Sequence, residues 1–412
     1  MTSRQNDFQS KTSNSSQMID FNDKHFIDDP YPALKKLREL GAPIWHEQTN
    51  MFLAAGYKDA NAVLRNRSLG RIFDPKTPET EWEAFNFLHA DSILDSEPPK
   101  HTRLRSLVMK AFNPKKIADL QPEIESITAD LLETASQRLA ESGHFDLISD
   151  FAEPLPVRVI AHLLGFPPED EHLLRPWSQA IVKMYEVSPS IADQEAAKRA
   201  SDEFAAYVHK LMLERQAKPG DDLISDLAQV QEAGEKLNAH ELIATCVLLL
   251  NAGHEASVNG FGNGMVAALQ TPAEMAKLNA NPDSLAMTAV DEFLRFDAPL
   301  HLFERTATED TEIGGVKIAE GQRIASLLGS ANRDAAIFEN PDELDLARHP
   351  NPHIGFGAGI HFCIGAPLAR LEMSVSLPAL VKRFRNLELA ETPLRRDSFV
   401  LRGYDKVMVK VG

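Results

Sequence analysis

The chain has 412 residues, 43% hydrophobic and 25% charged, so it can bury a large core and has the composition of a globular enzyme. Its formal net charge of −17 at pH 7 argues against nucleic acid as a partner, because phosphate binding requires a cationic face.

The N-terminal residues 1–17 are polar and contain no apolar stretch that would act as a secretory signal. We predict a disordered tail over residues 1–17 and a single domain over residues 18–412. The apolar run 242–250 is far shorter than the ~20 residues that span a bilayer. Two cysteines, Cys246 and Cys363, do not make a disulfide framework, so the sequence predicts a cytoplasmic protein without a membrane anchor.

The apolar residues predict a mainly α structure with small β-ribbons and no repeat or linker between domains. A helix over 33–40 is followed by a hairpin of residues 43–47 and 51–55. Helical spacing then dominates from about residue 99 to 270. We expect a second hairpin of residues 312–318 and 322–328, turning at Glu320-Gly321.

A glycine-rich loop surrounds the second cysteine, in the run Phe-Gly-Ala-Gly-Ile-His-Phe-Cys-Ile-Gly at residues 356–365. Glycines at 357, 359 and 365 allow a tight loop that aims backbone N–H groups at the Cys363 sulfur. The next segment, residues 367–377, is predicted to be a helix, whose N-terminal dipole would favour a thiolate. Backbone N–H donors of this kind tune a thiolate that binds haem iron.

This loop matches the Phe-Gly-x-Gly-x-His-x-Cys-x-Gly signature at every fixed position, and the chain resembles the cytochrome P450 family of the soluble bacterial type. The resemblance extends over roughly residues 20 to 411. It implies the cytochrome P450 fold, mainly α with small β-ribbons, in a single haem-enclosing domain. It also implies haem b as the cofactor and Cys363 as the ligand of its iron.

Two further motifs of that family concern the scaffold and the haem propionates. Glu292 and Arg295 match Glu-x-x-Arg and share one helix face, where they can form an ion pair. Glu343 occupies a slot that is often basic in the family, and Arg348 is the candidate to replace it. Two propionates carry about two negative charges, which are costly to bury without cations. The resemblance implies haem contacts from the following residues: His101, Arg105, Arg305, Phe356, His361, Cys363 and Gly365.

The predicted long helix over 239–269 carries the small pair Ala252-Gly253 at its middle, which would either open a bulge or allow close helix packing. The resemblance places this point over the iron, with Glu255 as a candidate for proton relay. The family usually has threonine next, but this chain has Ala256 and then Ser257, which lies about 100° further round the helix. Glu255, Ala256 and Ser257 are therefore the candidate catalytic positions.

Because Ala256 lacks a hydroxyl, three proton routes stay open: a substrate hydroxyl that holds a water, Ser257 through water, or a water chain from Glu255. We favour the substrate hydroxyl, since Ser257 is expected to face elsewhere on the helix. By analogy with the family, the substrate pocket would be formed by Phe85, Phe87, Leu249, Ala252, Leu300 and Leu302.

The implied function is insertion of one oxygen atom of O2 into a small or medium apolar substrate that can carry a hydroxyl. Electrons would come from NAD(P)H through a separate ferredoxin or flavodoxin. This partner would dock on the Cys363 side, where basic candidates are Arg103, Lys110, Lys115, Lys116 and Arg370.

Two alternatives stay open. Ala256 is also consistent with a peroxide-driven haem-thiolate peroxygenase or a non-hydroxylating haem-thiolate enzyme. A haem-based sensor is disfavoured by the absence of a recognisable output domain and by the presence of Glu255.

Overall fold

The computed structural model describes residues 19–231 and 234–412. The predicted tail, residues 1–17, lies outside the described residues. Within residues 19–231 and 234–412, no helix is both long enough and apolar enough to cross a bilayer.

Helices make up most of the described chain, as the apolar spacing predicts. Their bounds are α1 Lys24–Asp28, α2 Tyr31–Arg38, α3 Tyr57–Arg65, α4 Glu83–Ala90, α5 Lys100–Ala111, α6 Pro114–Asp119, α7 Gln121–Ser142, α8 Pro154–Leu164, α9 Glu171–Val182, α10 Ile191–Ala217, α11 Leu223–Gln229, α12 Ala239–Leu269, α13 Pro272–Ala280, α14 Pro282–Phe296, α15 Leu328–Ala331 and α16 Ala366–Arg383.

The strands are short and form small sheets. Their bounds are β1 Ile44–His46, β2 Met51–Ala54, β3 Leu69–Gly70, β4 Phe145–Asp146, β5 Leu302–Ala307, β6 Thr311–Ile313, β7 Val316–Ile318, β8 Arg323–Leu327, β9 Leu387–Leu389, β10 Leu394–Arg395, β11 Tyr404–Lys406 and β12 Met408–Val411. The largest sheet has the order β1-β2-β8-β5-β3, and β4, β12 and β9 form a second one.

The predicted first hairpin is confirmed, since β1 and β2 pair antiparallel. The predicted second hairpin, of residues 312–318 and 322–328, was wrong. Strands β6 and β7 pair with each other, and β8 pairs with β5 and β2. The turn lies at Gly314-Gly315, where φ is +58° and +81°. Two consecutive left-handed residues make the tight two-residue turn that suits a hairpin, and Glu320-Gly321 offers only one glycine for it.

The central helix is α12, whose bounds match the predicted 239–269. A capping box starts it, because the Asn238 side chain accepts from the Glu241 backbone N–H and the Glu241 carboxylate accepts from that of Asn238. The helix is buried along most of its length and packs against α4, α8, α10 and α14. It continues without a break through Ala252-Gly253, so the backbone opens no bulge there.

The apolar core has a large helical part and a smaller part around the β1-β2-β8-β5-β3 sheet. The helical part includes Phe151, Phe204 and Phe293, whereas Phe21, Phe26 and Phe399 belong to the smaller part. Residues from both parts line a large cavity, and the middle of α12 forms part of its wall. The fold therefore positions the middle of α12 opposite the cysteine loop.

Candidate active site

A cavity of about 680 Å³ occupies the centre of the protein. Its wall includes Cys363 and Gly365 from the cysteine loop and Ala252, Glu255 and Ala256 from α12. Most of the remaining wall is apolar, so the site favours a large and mainly apolar occupant.

The cysteine loop delivers Cys363 to this cavity at the start of α16. Gly357 and Gly359 have φ of +72°, and a Cβ on Gly359 would lie 2.4 Å from the carbonyl oxygen of Leu64, so both require glycine. Gly365 has an ordinary φ of −82° and caps α16 through its backbone. The loop prediction counted Gly365 among the glycines that make the tight turn, but its backbone does not adopt a left-handed conformation.

The Cys363 sulfur is in a mixed environment. Burial raises the pKa of the thiol above its ordinary value. Hydrogen bonds from the backbone N–H groups of Gly365 and Ala366 act in the opposite direction, as do the positive charges of Arg105 and Arg370. A bound metal cation would add a much larger stabilisation of the thiolate at this position.

Four predicted cationic or imidazole side chains lie close to the cysteine loop, and two of them, Arg105 and His361, line the cavity. His101 is 2% exposed, and neither ring nitrogen has a hydrogen-bond partner. Its ring lies 4.5 Å from that of His361. Arg305 is 2% exposed with Nη2 unpartnered, and burial lowers its pKa to about 9. Arg105 donates from Nη2 to the Phe362 carbonyl at 2.8 Å.

These unpartnered buried donors are costly unless an anion or acceptor joins them. The carboxylates of a haem propionate pair are suitable acceptors, and the cavity that ends at the Cys363 sulfur is apolar. The residues present therefore fit haem b. Phe356, which was also expected to contact it, lines the cavity, and the Arg370 guanidinium lies 4.5 Å from the centre of its ring.

Arg71 lines the cavity and Glu97 lies between it and His361, although neither was predicted. The Glu97 carboxylate accepts from His361 Nε2 at 2.9 Å and from the Arg71 backbone N–H at 2.6 Å. Arg71 in turn donates to Asp95 at 2.6 Å. Glu97 thus contacts one of the predicted anchors. Its four-residue spacing before His101 was the sequence signal that could have drawn attention to it.

The predicted ion pair below the cysteine loop is present on α14. Arg295 donates to both carboxylate oxygens of Glu292 at 2.7 Å, and both side chains are fully buried. Arg348 Nε lies 3.1 Å from Glu292 Oε2. Arg348 therefore supplies the basic side chain of this region, as the sequence predicts, since Glu343 occupies the position that is often basic in the family.

The middle of α12 forms the cavity wall opposite the loop. A Cβ on Gly253 would meet only the Ile160 side chain, at 4.0 Å, so close helix packing does not explain this glycine. Glu255 is 3% exposed and accepts from Arg396 Nη1 at 2.6 Å. Arg396 was not predicted because it lies 141 positions away, in the loop that follows β10.

Ser257 differs from its prediction. It lines the cavity together with Ala256, and its hydroxyl hydrogen-bonds the carboxyl of Glu372 on α16. The expectation that Ser257 faces elsewhere was wrong, because the cavity wraps round α12 and reaches both positions. Glu372 was not predicted, and its signal was that it is the one acidic residue of the predicted helix over 367–377.

The predicted pocket residues fall into two groups. Leu249, Ala252, Leu300 and Leu302 line the cavity. Phe85 and Phe87 lie outside its wall, which corrects their prediction. Helix α4 directs the Phe85 ring onto His89 at 4.0 Å, and the Phe87 ring stacks on His240 at 4.6 Å.

Ion pairs engage several of the predicted docking residues. Arg103 pairs with Glu241 and Glu235, Lys116 with Asp226, and Arg370 with Asp291 at 2.9 Å. These carboxylates reduce the positive potential that a partner would encounter on the Cys363 side. The Lys115 side chain is exposed.

Almost the whole chain is similar to known proteins. The family model described as Cytochrome P450 matches residues 28–410. The polyketide biosynthesis cytochrome P450 PksS of Bacillus subtilis is 38% identical over an alignment of 404 residues, and the match covers 94% of this chain and 97% of that protein.

Two solved structures extend the comparison to ligands. P450BioI in complex with hexadec-9Z-enoic acid ligated acyl carrier protein superposes with a TM-score of 0.88 at 33% identity, covering 94% of this chain and 99% of that chain. CYP109E1 of Bacillus megaterium in complex with testosterone gives a TM-score of 0.80 at 30% identity, covering 93% of this chain and 99% of that chain.

Proposed function

Because this chain belongs to the cytochrome P450 family of monooxygenases, we propose that it inserts one atom of O2 into a small or medium apolar substrate. The observation that carries the proposal is the Cys363 sulfur, which lies at the wall of a large cavity, with the unpartnered buried nitrogens of His101 and Arg305 beside it.

Haem b is the proposed form of the family's cofactor. Cys363 would hold its iron, and His101, Arg105, Arg305 and His361 would bind its propionates. Phe356 and Gly365 would contact the ring. When bound, haem with a thiolate ligand supplies the chemistry of O2 cleavage. The protein's part is to exclude water, orient the substrate and deliver protons from the α12 wall.

The substrate class follows from the cavity. Leu249, Leu300 and Leu302 supply apolar surface, and apolar atoms form most of the wall, so we propose an apolar molecule that carries one or two oxygen atoms. Related proteins support this class, since their names or ligands include a polyketide pathway, a long-chain fatty acyl group and a steroid.

The electrons would come from NAD(P)H through a ferredoxin or flavodoxin, as P450 proteins of bacteria generally use separate redox partners. Product formation from testosterone or free hexadec-9Z-enoic acid, with a surrogate ferredoxin and its reductase, tests the function. Incorporation of one labelled oxygen atom from O2 is expected. Incorporation from water, or products without added oxygen from both ligands, would contradict it.

A peroxide-driven or non-hydroxylating enzyme is the second candidate, favoured by Ala256, which lacks the hydroxyl usual in the family. Turnover of the same ligands with hydrogen peroxide, compared with turnover through the ferredoxin system, distinguishes the two. Faster turnover with peroxide would favour the second candidate.

A further inference from the structure

Tyr185 brings a phenolic hydroxyl to the wall of the cavity. It ends the short 3-10 helix Lys183–Tyr185, which follows α9 directly, and it is one of the residues that line the cavity. Burial raises the pKa of this hydroxyl above its ordinary value, so the group keeps its proton. A protonated phenol can donate one hydrogen bond and accept another, and its partners decide which of the two is left for a ligand.

His89 on α4 uses the donor side of that hydroxyl. The ring is 6% exposed, with Nδ1 2.7 Å from the Phe85 carbonyl oxygen and Nε2 3.3 Å from Tyr185 Oη. A carbonyl oxygen only accepts hydrogen bonds, so the ring proton is on Nδ1. Burial lowers the pKa of His89 below its ordinary value, which leaves Nε2 unprotonated at pH 7. Nε2 is therefore the acceptor, and the Tyr185 hydroxyl donates to it.

The imidazole of His89 is held in this orientation by aromatic stacking. The Phe85 ring lies 4.0 Å from it at an interplanar angle of 27°, and the Phe73 ring lies 5.4 Å from it at 17°. A flip of the ring would break the hydrogen bond to the Phe85 carbonyl and place a donor where Nε2 now accepts. The acceptor for the Tyr185 proton is thus fixed before a ligand enters.

Glu186, the next residue along the chain, holds Tyr185 from the other side. Its carboxylate accepts from the backbone N–H groups of Phe399, Val400 and Leu401 at 3.2, 3.1 and 3.0 Å. These three N–H groups belong to the loop between β10 and β11. Tyr185 is therefore positioned by α4 through His89 and by this loop through its neighbour, so little ordering remains to be done when a ligand binds.

The acceptor side of the Tyr185 hydroxyl is not used. Within residues 19–231 and 234–412, Tyr185 Oη makes no hydrogen bond besides the one to His89. The negative charge of Asp95 acts on Tyr185, but Asp95 accepts from Arg71 Nη2 at 2.6 Å and Nε at 3.1 Å. That carboxylate is thus engaged by a guanidinium and does not take the phenolic proton. An oxygen lone pair in the cavity wall is left for a donor on the ligand.

We propose that Tyr185 Oη recognises a hydroxyl group of the substrate by accepting its hydrogen, and that His89 is the positioning residue that makes Tyr185 an acceptor. This assignment rests on the proposed function and narrows its substrate class to apolar molecules with a hydroxyl donor. A ketone or an ether at the same place offers only lone pairs. It would face the lone pair of Tyr185 and leave both oxygens unpaired.

Equilibrium dialysis of the haem-loaded protein measures this selectivity, with testosterone and with its analogue in which a ketone replaces the hydroxyl. The unmodified protein should bind testosterone ~10-fold more tightly, because only testosterone supplies the donor. In Tyr185→Phe the two dissociation constants should become equal, mainly through weaker binding of testosterone. Equal binding by the unmodified protein, an unchanged ratio in Tyr185→Phe, or no binding of testosterone would each overturn the assignment.

His89→Phe separates hydrogen bonding from packing. Phenylalanine can keep the stacking with Phe73 and Phe85 but has no Nε2, so the Tyr185 proton becomes available to the ligand. The ketone analogue should then bind ~10-fold more tightly than it binds to the unmodified protein, while testosterone binding changes little. Weaker binding of both ligands by the same factor would show that His89 only packs, and would overturn its positioning role.

Tyr207→Phe is the matched control. Tyr207 lies on α10 outside the cavity wall, and its hydroxyl donates to Asp170 at 2.6 Å. The affinity ratio of the two ligands should stay as in the unmodified protein, and a loss of selectivity here would overturn the assignment to Tyr185. Dialysis requires neither O2 nor electrons. Selective binding without any oxygenated product would therefore count against the proposed function alone.

Discussion

Arg396 Nη1 lies 2.6 Å from Glu255 Oε2, and the two side chains are 16% and 4% exposed. The pair joins the loop after β10 to the middle of α12. The Arg396 backbone N–H donates to the Gly403 carbonyl at 3.1 Å, and Asp405 lies 3.3 Å from Arg396 Nε. The C-terminal segment thus fixes the orientation of an acid on the cavity wall.

Arg396→Gln should lower the free energy of unfolding by about 3 kcal/mol, because Glu255 is left as a buried carboxylate without a cation. Adding Glu255→Gln should recover much of this loss, and a double-mutant cycle from denaturant unfolding measures the coupling. Arg383→Gln, which removes an exposed ion pair with Glu133, is the control and should cost about 0–1 kcal/mol. Additive effects of the two changes would contradict the prediction.

Cys363→Ala should abolish the strongly red-shifted Soret band of the reduced carbon monoxide complex, because that band reports thiolate ligation. Absorption spectra of matched protein samples measure it. Cys246→Ala is the control, since Cys246 is fully buried in α12 and contacts the apolar core. A retained band in Cys363→Ala would reject the ligand assignment.

Arg105→Ala combined with Arg305→Ala should lower the haem content of the purified protein, because two cations next to the propionates are removed. Helical circular dichroism should change little. The matched control removes two surface cations, Arg158 and Arg383, which pair with exposed carboxylates. Unchanged haem content in the Arg105 and Arg305 variant would contradict the assignment.

Stability should fall as the pH decreases from 6.5 toward 4. Burial lowers the pKa of His254 and of His301 to about 4, so the unfolded chain binds more protons in this interval and is favoured by acid. Each histidine contributes up to about 3 kcal/mol over the full interval.

Thermal unfolding between pH 4 and 7 measures this dependence, and His254→Gln and His301→Gln should each flatten it. His144→Gln, at an exposed position, should leave the slope unchanged. Equal slopes in all variants would show that other groups cause the acid destabilisation.

Electron transfer from an acidic ferredoxin should slow as salt concentration rises, because docking on the Cys363 side uses positive charge. Lys115→Glu gives the clearest test, since this side chain is exposed. Arg103→Glu would also break the buried contact with Glu241, so its effect mixes docking with folding. If the stopped-flow reduction rate changes neither with salt concentration nor in Lys115→Glu, the partner docks on another surface.

Local sequence patterns predicted the features that depend on residues close together along the chain. The bounds of α12 follow from its apolar length and its capping box, and the Glu292–Arg295 pair follows from helical spacing. The loop around Cys363 was recognisable because a tight turn needs its glycines at 357 and 359. These features depend on residues within a few positions of one another.

Only the tertiary structure decided the partners that lie far apart in sequence. Arg396 reaches Glu255 across 141 positions, and Glu372 reaches Ser257 from another helix. The same holds for Phe85 and Phe87, which analogy with the family placed in the substrate pocket, whereas packing directs their rings onto His89 and His240. Periodicity determines which face of a helix is apolar, but the neighbour of that face depends on how the helices and strands pack.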